Sequence, residues 1–378
     1  MEIDREKLLN DLYKTRNHLV HCPSRDDIIY SFESFVALNN AYSSMMGEYF
    51  DTDKIFLDDK GTKKMLDDVY FKSVLLFHSY TQMNKKTIQS IFNNYDKFMN
   101  DINYEPCPFY NKMTRYDEKT FKDIILSYYA TYGNKIYNIV KKYFDENRIE
   151  MSYEKVAEEN LAAAFAHITN AMTGYIVSIH NNYNSWSMTD LVHELGHAID
   201  AETYLFPQQK KVSVFSDILC EVPSTTYEMG FLNYLINNNI DSSARIIKDY
   251  KHSLLADASD ELNYIYSLDD ITTDYAGNLY DADGNVYPFR EMLLYGLGYY
   301  FAFILNYLKD NDVKDFNKIF YNVISSRNDV IHLDDFADKM GISKEDFLEC
   351  NLIKNDIIEN QGMLKLMFPY WRSKWKRI

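Results

Sequence analysis

Apolar residues recur at three- and four-residue intervals from the start of the chain, beginning with Leu8, Leu9, Leu12, Tyr13, Leu19 and Val20. That spacing predicts an amphipathic helix, because residues i, i+3 and i+4 share one face of a 3.6-residue repeat. Pro23 follows it, and Ser24 with Asp27 forms a capping signal for a second helix through Phe32, Phe35, Leu38, Tyr42 and Met46. Similar patterns predict helices over 61–80, 85–101, 118–146 and 152–170. The segment Thr173-Gly-Tyr-Ile-Val-Ser-Ile-His180 breaks the rhythm. Its β-branched residues, a glycine before it and an Asn-rich turn after it predict a strand. Helical spacing returns from Val212 to Asn238, where Pro223 is expected to kink the helix just after Glu221. The weakest helical signal lies over 257–287, which contains a predicted hairpin around Asp283-Gly284. Its Asp-x-Asp-Gly-Asn core resembles a calcium loop, but Met292 stands where a bidentate glutamate is required. Helices resume over 288–378 and end in the basic stretch Arg372-Ser-Lys-Trp-Lys-Arg-Ile378.

The predicted class is mainly α, with a small β-sheet beside the helix that follows His180. With 378 residues, 12 glycines and 7 prolines, the chain suits long helices in one or two domains. The division read here is an N-terminal helical region, 1–100, packing on a second part, 101–378. A formal charge of −16 disfavours nucleic acid and anionic membranes as partners. The longest uncharged run, Met292 to Leu308, contains Gly296, Gly298 and Asn306 and is expected to be a buried helix. No secretory signal is visible at the start, and Cys22, Cys107, Cys220 and Cys350 have no pairing pattern. Both point to a cytoplasmic location with reduced thiols.

The chemistry concentrates in Asp190-Leu-Val-His-Glu-Leu-Gly-His-Ala-Ile-Asp200. On a helix, His193 and His197 sit one turn apart on one face, close enough to hold one ion. Glu221 follows 24 residues later, in Cys-Glu-Val-Pro-Ser-Thr. Two imidazoles and a carboxylate are the ligand set of a catalytic zinc that keeps a position for water, and Glu194 is placed to act as general base on that water. Solvated histidines on a surface helix are the alternative; Gly196 argues against it, since glycine weakens a helix and is tolerated where another backbone comes close. Glu202, Asp217 and Glu228 also follow the motif. Asp217 and Glu221 are i and i+4, and Glu228 lies two turns beyond Glu221 on the same side. We assign Glu221 to one Zn2+ and Glu228 to the far nitrogen of a ligating histidine. Asp200, three residues after His197, is a second expected outer partner.

With Glu-Val-Pro-Ser-Thr and a glutamate seven residues beyond Glu221, the His-Glu-Leu-Gly-His segment resembles oligoendopeptidase F and its relatives in the thimet oligopeptidase family. The likeness extends upstream to Phe144-Asp-Glu-Asn-Arg-Ile and downstream to Tyr295-Gly-Leu-Gly-Tyr-Tyr300, covering about 140–310. It implies a multi-helix peptidase fold with a deep groove, and short unstructured peptides as substrates of a zinc endopeptidase. It also implies that Tyr175, Ile176, Val177, Ser178, Ile179 and His180 form the groove's edge strand. Tyr295 or Tyr299 would be the donor to the developing oxyanion, with Tyr300 less favoured for that role and counted among the substrate-binding residues. Compared with the family, the chain is short on its N-terminal side, which implies a more open groove. Some relatives have a histidine just before the tyrosine helix; here Val286-Tyr-Pro-Phe-Arg-Glu-Met has none, and Arg290 is the cation present. A peptide-binding protein that keeps zinc without turnover, or an exopeptidase of the same type, would share the motif. An intact Glu194 disfavours the first, and the absence of a Gly-x-Met-x-Asn anchor disfavours one class of the second.

Overall fold

The computed structural model describes Thr81 and residues 83–102, 114–150, 164–168, 174–178, 183–205, 218–268, 272–273, 279–281, 284–311, 315–328, 330 and 332–357. The helices expected before residue 81, Cys22, Cys107, Asp217, Ile179, His180 and the basic C-terminal stretch lie outside the described residues.

The first described helix is α1, Lys85–Asp101, as its apolar spacing predicts. The expected helix over 118–146 is two, α2 (Glu118–Ala130) and α3 (Asn134–Asp145). Gly133 separates them at φ +95, a conformation that side-chain-bearing residues rarely adopt. Asp117 caps α2 by accepting from the Thr120 amide.

Three short strands follow: β1 (Ile149–Glu150), β2 (Ala164–Ile168) and β3 (Gly174–Ser178). β2 corrects the expected helix over 152–170. Ala164-Phe-Ala-His-Ile has an alanine-rich composition that suits a helix, but intrinsic propensity is worth only tenths of a kcal/mol per residue. Antiparallel pairing with β3 across the full register, Ala164 to Ser178 through Ile168 to Gly174, overrides it. The strand order is β1-β3-β2, with β1 parallel to β3.

α4 (Ser185–Asp200) packs on β2 and β3 and continues into a π-helical turn, Ala201–Leu205. α5 (Glu221–Asn237) lies between α4 and α7 (Phe289–Asp310) and is buried on nearly every face from Val222 to Asn233. Such all-round burial marks a central helix. Leu191, Val192, Leu195, Phe231, Leu232, Leu297 and Phe301 all belong to one buried apolar cluster. The Pro223 kink does not occur: the helix starts at Glu221, so Pro223 sits in the first turn, where its missing N–H would have had no partner.

α6 (Ala244–Ser267) packs on α1 and α7. Between α6 and α7 the strands β4 (Thr272–Thr273), β5 (Leu279–Tyr280) and β6 (Val286–Tyr287) form a second small sheet. β5 and β6 pair antiparallel around Gly284, φ +81, as the turn signal predicts. The uncharged run Met292 to Leu308 falls within α7 and is largely buried. Among the described residues no helix is long and apolar enough to cross a membrane. α8 (Phe316–Ser325), α9 (Phe336–Met340) and α10 (Lys344–Leu348) close the mainly α-helical architecture.

Candidate metal centre

α4 begins where Asn184 accepts a hydrogen bond from the Ser187 amide at 2.9 Å. Regular helix from there sets His193 and His197 one turn apart, their ring centroids separated by 5.0 Å. Glu221 is the first residue of α5 and faces both rings. Its Oε2 lies 3.2 Å from Nε2 of His193 and 3.2 Å from Nε2 of His197. Ser224 Oγ donates to the same oxygen at 3.1 Å.

Two glycines allow this meeting. A Cβ on Gly196 of α4 would fall 2.6 Å from the Ser224 Cα, so the first turn of α5 rests directly on α4. A Cβ on Gly298 of α7 would fall 2.9 Å from Glu221 Cβ. Thr225 completes the contact by donating to the Gly298 carbonyl at 2.9 Å.

The ligand atoms of His193, His197 and Glu221 all lie within 4.8 Å of one another, the only such donor group among the described residues. The 3.2 Å spacings approach the edge of a tetrahedron, about 3.4 Å, that zinc–nitrogen and zinc–oxygen bonds of about 2.0–2.2 Å would produce. The donor set therefore fits zinc. Burial opposes a charge on either imidazole, but neighbouring carboxylates outweigh it and draw both histidines above their ordinary range. Burial likewise opposes the Glu221 charge, and the two histidines hold its carboxyl well below the usual range all the same.

Behind the rings stands Glu228, 1% exposed, whose Oε2 lies 2.9 Å from His193 Nδ1. A carboxylate there makes Nδ1 the protonated nitrogen and leaves the Nε2 lone pair pointing at Glu221 and His197. Glu228 Oε1 accepts from Lys251 Nζ at 2.6 Å, and Tyr299 OH donates to Oε2 at 3.4 Å. Lys251 carries no motif and was not foreseen. Its signal is nonetheless present: Lys248 and Lys251 occupy the buried stripe of α6 with Ile247, Leu255 and Leu262, where apolar residues are expected.

Glu194 is buried, and its charge bears on His193, His197 and Tyr295. Asp190, one turn before Glu194, has its carboxyl raised to about 7 by burial, against the pull of Lys251. Asp200 does not back a histidine. Arg327 binds it with Nη2 at 2.8 and 3.0 Å from its two oxygens, and also donates to the Leu219 and Ile324 carbonyls. Glu202 interacts with Lys142, Arg148 and Tyr143.

On α7, Tyr295 and Tyr299 are i and i+4 and face α5 together. Tyr295 is 40% exposed, and its phenol is pushed up chiefly by the Glu221 charge, with burial and Glu194 adding to it. Tyr299 is buried, and its hydroxyl lies 3.4 Å from Glu228 Oε2 and also interacts with Lys251. Tyr300 corrects the expectation of substrate contact. One residue further round the helix, it is fully buried and its hydroxyl donates to the Phe347 carbonyl. The strand expectation is corrected as well. β3 is central: Tyr175, Val177 and Ser178 lie in a strand paired to β2 throughout, Ile176 is fully buried, and β1 pairs with its middle. Both sides of β3 are therefore taken within the sheet, which leaves no free backbone there for an added strand.

No family model matches the chain. A 180-residue segment, 46% of this chain, is 30% identical to oligopeptidase PepF of Bacillus subtilis (strain 168) and spans 25% of that relative's length. A solved structure described as an oligoendopeptidase F from Bacillus anthracis superposes with a TM-score of 0.51 at 12% identity. That superposition covers 90% of this chain and 67% of the other. At such identity the second likeness is one of fold. The resemblance thus has a counterpart in sequence over 180 residues and, separately, in fold over 90% of the chain.

Proposed function

Proceeding from this resemblance to the oligoendopeptidase F family, we propose that the chain is a zinc-dependent endopeptidase acting on internal bonds of short unstructured peptides. The observation that carries the reading is the meeting of two imidazole Nε2 atoms at one carboxylate oxygen, with a buried glutamate beside them.

In this reading His193, His197 and Glu221 hold the ion. Bound zinc supplies Lewis acidity, which brings the ionisation of water down to about pH 7 and polarises a carbonyl. Glu194 accepts the proton of the attacking water and passes it to the departing amine. Glu228 fixes the tautomer of His193. Tyr295 is favoured over Tyr299 as donor to the oxyanion, because its hydroxyl answers to Glu221 and Glu194 whereas that of Tyr299 is engaged by Glu228.

Because β3 has a strand on each side, β2 is the strand that an extended peptide could join. Its outer side has no strand partner among the described residues, and β2 packs against α4. An extended peptide paired there would run alongside the histidine helix, its backbone groups satisfied by the strand.

A quenched fluorogenic peptide library tests the proposal. Cleavage should occur at internal bonds by mass spectrometry, stop with chelator and return with zinc. Glu194→Gln should retain zinc and lose about two to four decades of kcat. A zinc-loaded parent that leaves every peptide intact would favour a binding role, and stepwise trimming from one end would favour an exopeptidase.

A further inference from the structure

We infer that Lys251 is a positioning residue of the metal centre, holding Glu228 so that Glu228 can hold His193. The inference rests on the metal reading proposed above and extends it to a third layer. Lys251 comes from α6, which contributes no residue to the ion itself. Its Nζ makes a 2.6 Å ion pair with Glu228 Oε1, while Glu228 Oε2 meets His193 Nδ1 at 2.9 Å. A carboxylate anchored at one oxygen by an ion pair resists rotation about its last torsion, which favours keeping its other oxygen aimed at the imidazole. Tyr299, donating to that same Oε2 at 3.4 Å, narrows its freedom further.

The surroundings make this an expensive arrangement to keep for packing alone. Lys251 and Glu228 side chains are 9% and 1% exposed. The ammonium lies 5.3 Å from the Trp186 ring centroid and 5.7 Å from that of Tyr299, so aromatic faces replace much of its water. A buried ion pair of this kind is commonly matched in stability by apolar residues of similar volume. What an apolar residue at 251 could not do is anchor Oε1. Three carboxylates, Glu194, Glu221 and Glu228, also bear on His193, and Lys251 pairs its positive charge with one of them. The chain of contacts therefore runs Lys251, Glu228, His193, metal.

The test compares the parent with Lys251→Met, Glu228→Gln and the double variant, measuring zinc dissociation constants by competition with a chromophoric chelator. Lys251→Met should raise the constant about 10- to 100-fold, the range for loss of an outer partner of a metal ligand. In the Glu228→Gln background the same change should add no more than about twofold, because Lys251 acts through Glu228. Ring-nitrogen NMR of His193 in the zinc-loaded forms should show a single Nδ1–H tautomer in the parent and its loss of definition in Lys251→Met. If Lys251→Met does not fold, Lys251→Gln makes the same comparison without the charge. Unchanged zinc affinity in the folded variant would overturn the inference, as would an equal loss in both backgrounds. A parent chain that binds no zinc would instead overturn the metal reading on which it rests.

Discussion

Gly196 and Ser224 are in backbone contact, with 2.6 Å between the position a Gly196 Cβ would take and the Ser224 Cα. This contact seats the first turn of α5 on the histidine helix and brings Glu221 to both rings. Alanine favours an isolated helix by about 1 kcal/mol over glycine. Here overpacking against a backbone should cost about 1–3 kcal/mol and exceed that gain. Gly196→Ala is therefore expected to lower the thermal midpoint and to weaken zinc binding at least tenfold. Calorimetry and chelator competition check both, and a stabilised variant with parental zinc affinity would refute the contact's role.

Tyr295 and Tyr299 share a helix face but not a partner. Tyr295→Phe should reduce kcat by about 10²–10³ with little change in KM, as loss of an oxyanion donor does. Tyr299→Phe should leave kcat closer to the parent and show its effect in zinc affinity, through Glu228. Steady-state kinetics on one fluorogenic peptide decides between them; the opposite ranking would move the donor role to Tyr299.

The Asp200–Arg327 pair is buried, with two hydrogen bonds between the partners. Arg327→Met strands the carboxylate and should destabilise the fold by about 3–5 kcal/mol. Asp200→Asn combined with Arg327→Met should recover much of the loss. Urea titrations measure this, and additive losses in the double variant would show that the two residues are not coupled.

Acid should destabilise the protein in a traceable way. Burial opposes the Asp356 charge, but Lys248 at 2.8 Å and His252 at 3.3 Å outweigh it and hold its carboxyl well below the usual range. A depressed folded value means stability that is present above the unfolded carboxylate pKa, about 3.9, and lost as pH falls below it. Burial also keeps His252 low, so unfolding takes up a proton there below about pH 6.5. Asp356→Asn should be less stable at pH 7 yet flatter below pH 4. An unchanged acid limb in denaturation curves would remove Asp356 from the account.

Local spacing carried much of what could be read in advance. A helical turn places His193 beside His197 whatever surrounds it. The apolar run of α7, the stripe of α1 and the turn at Gly284 are likewise local properties. Even Glu221 and Glu228 could be paired on one helix face by counting. Where local preference was weak, the reading failed. Ala164–Ile168 became a strand because β3 was there to pair with, and α2 and α3 separated at a glycine whose φ the sequence does not display.

By itself, then, the sequence determined the residue types of the candidate site, their spacing along two helices and the mainly helical class, since these depend on contacts within a turn or two. Only the tertiary structure decided that β3 is enclosed, that Asp200 belongs to Arg327, that Tyr300 faces Phe347 and that Lys251 stands behind Glu228. Each of those depends on which helix face meets which neighbour, and glycine-mediated approaches such as Gly196 on Ser224 set that to within an ångström.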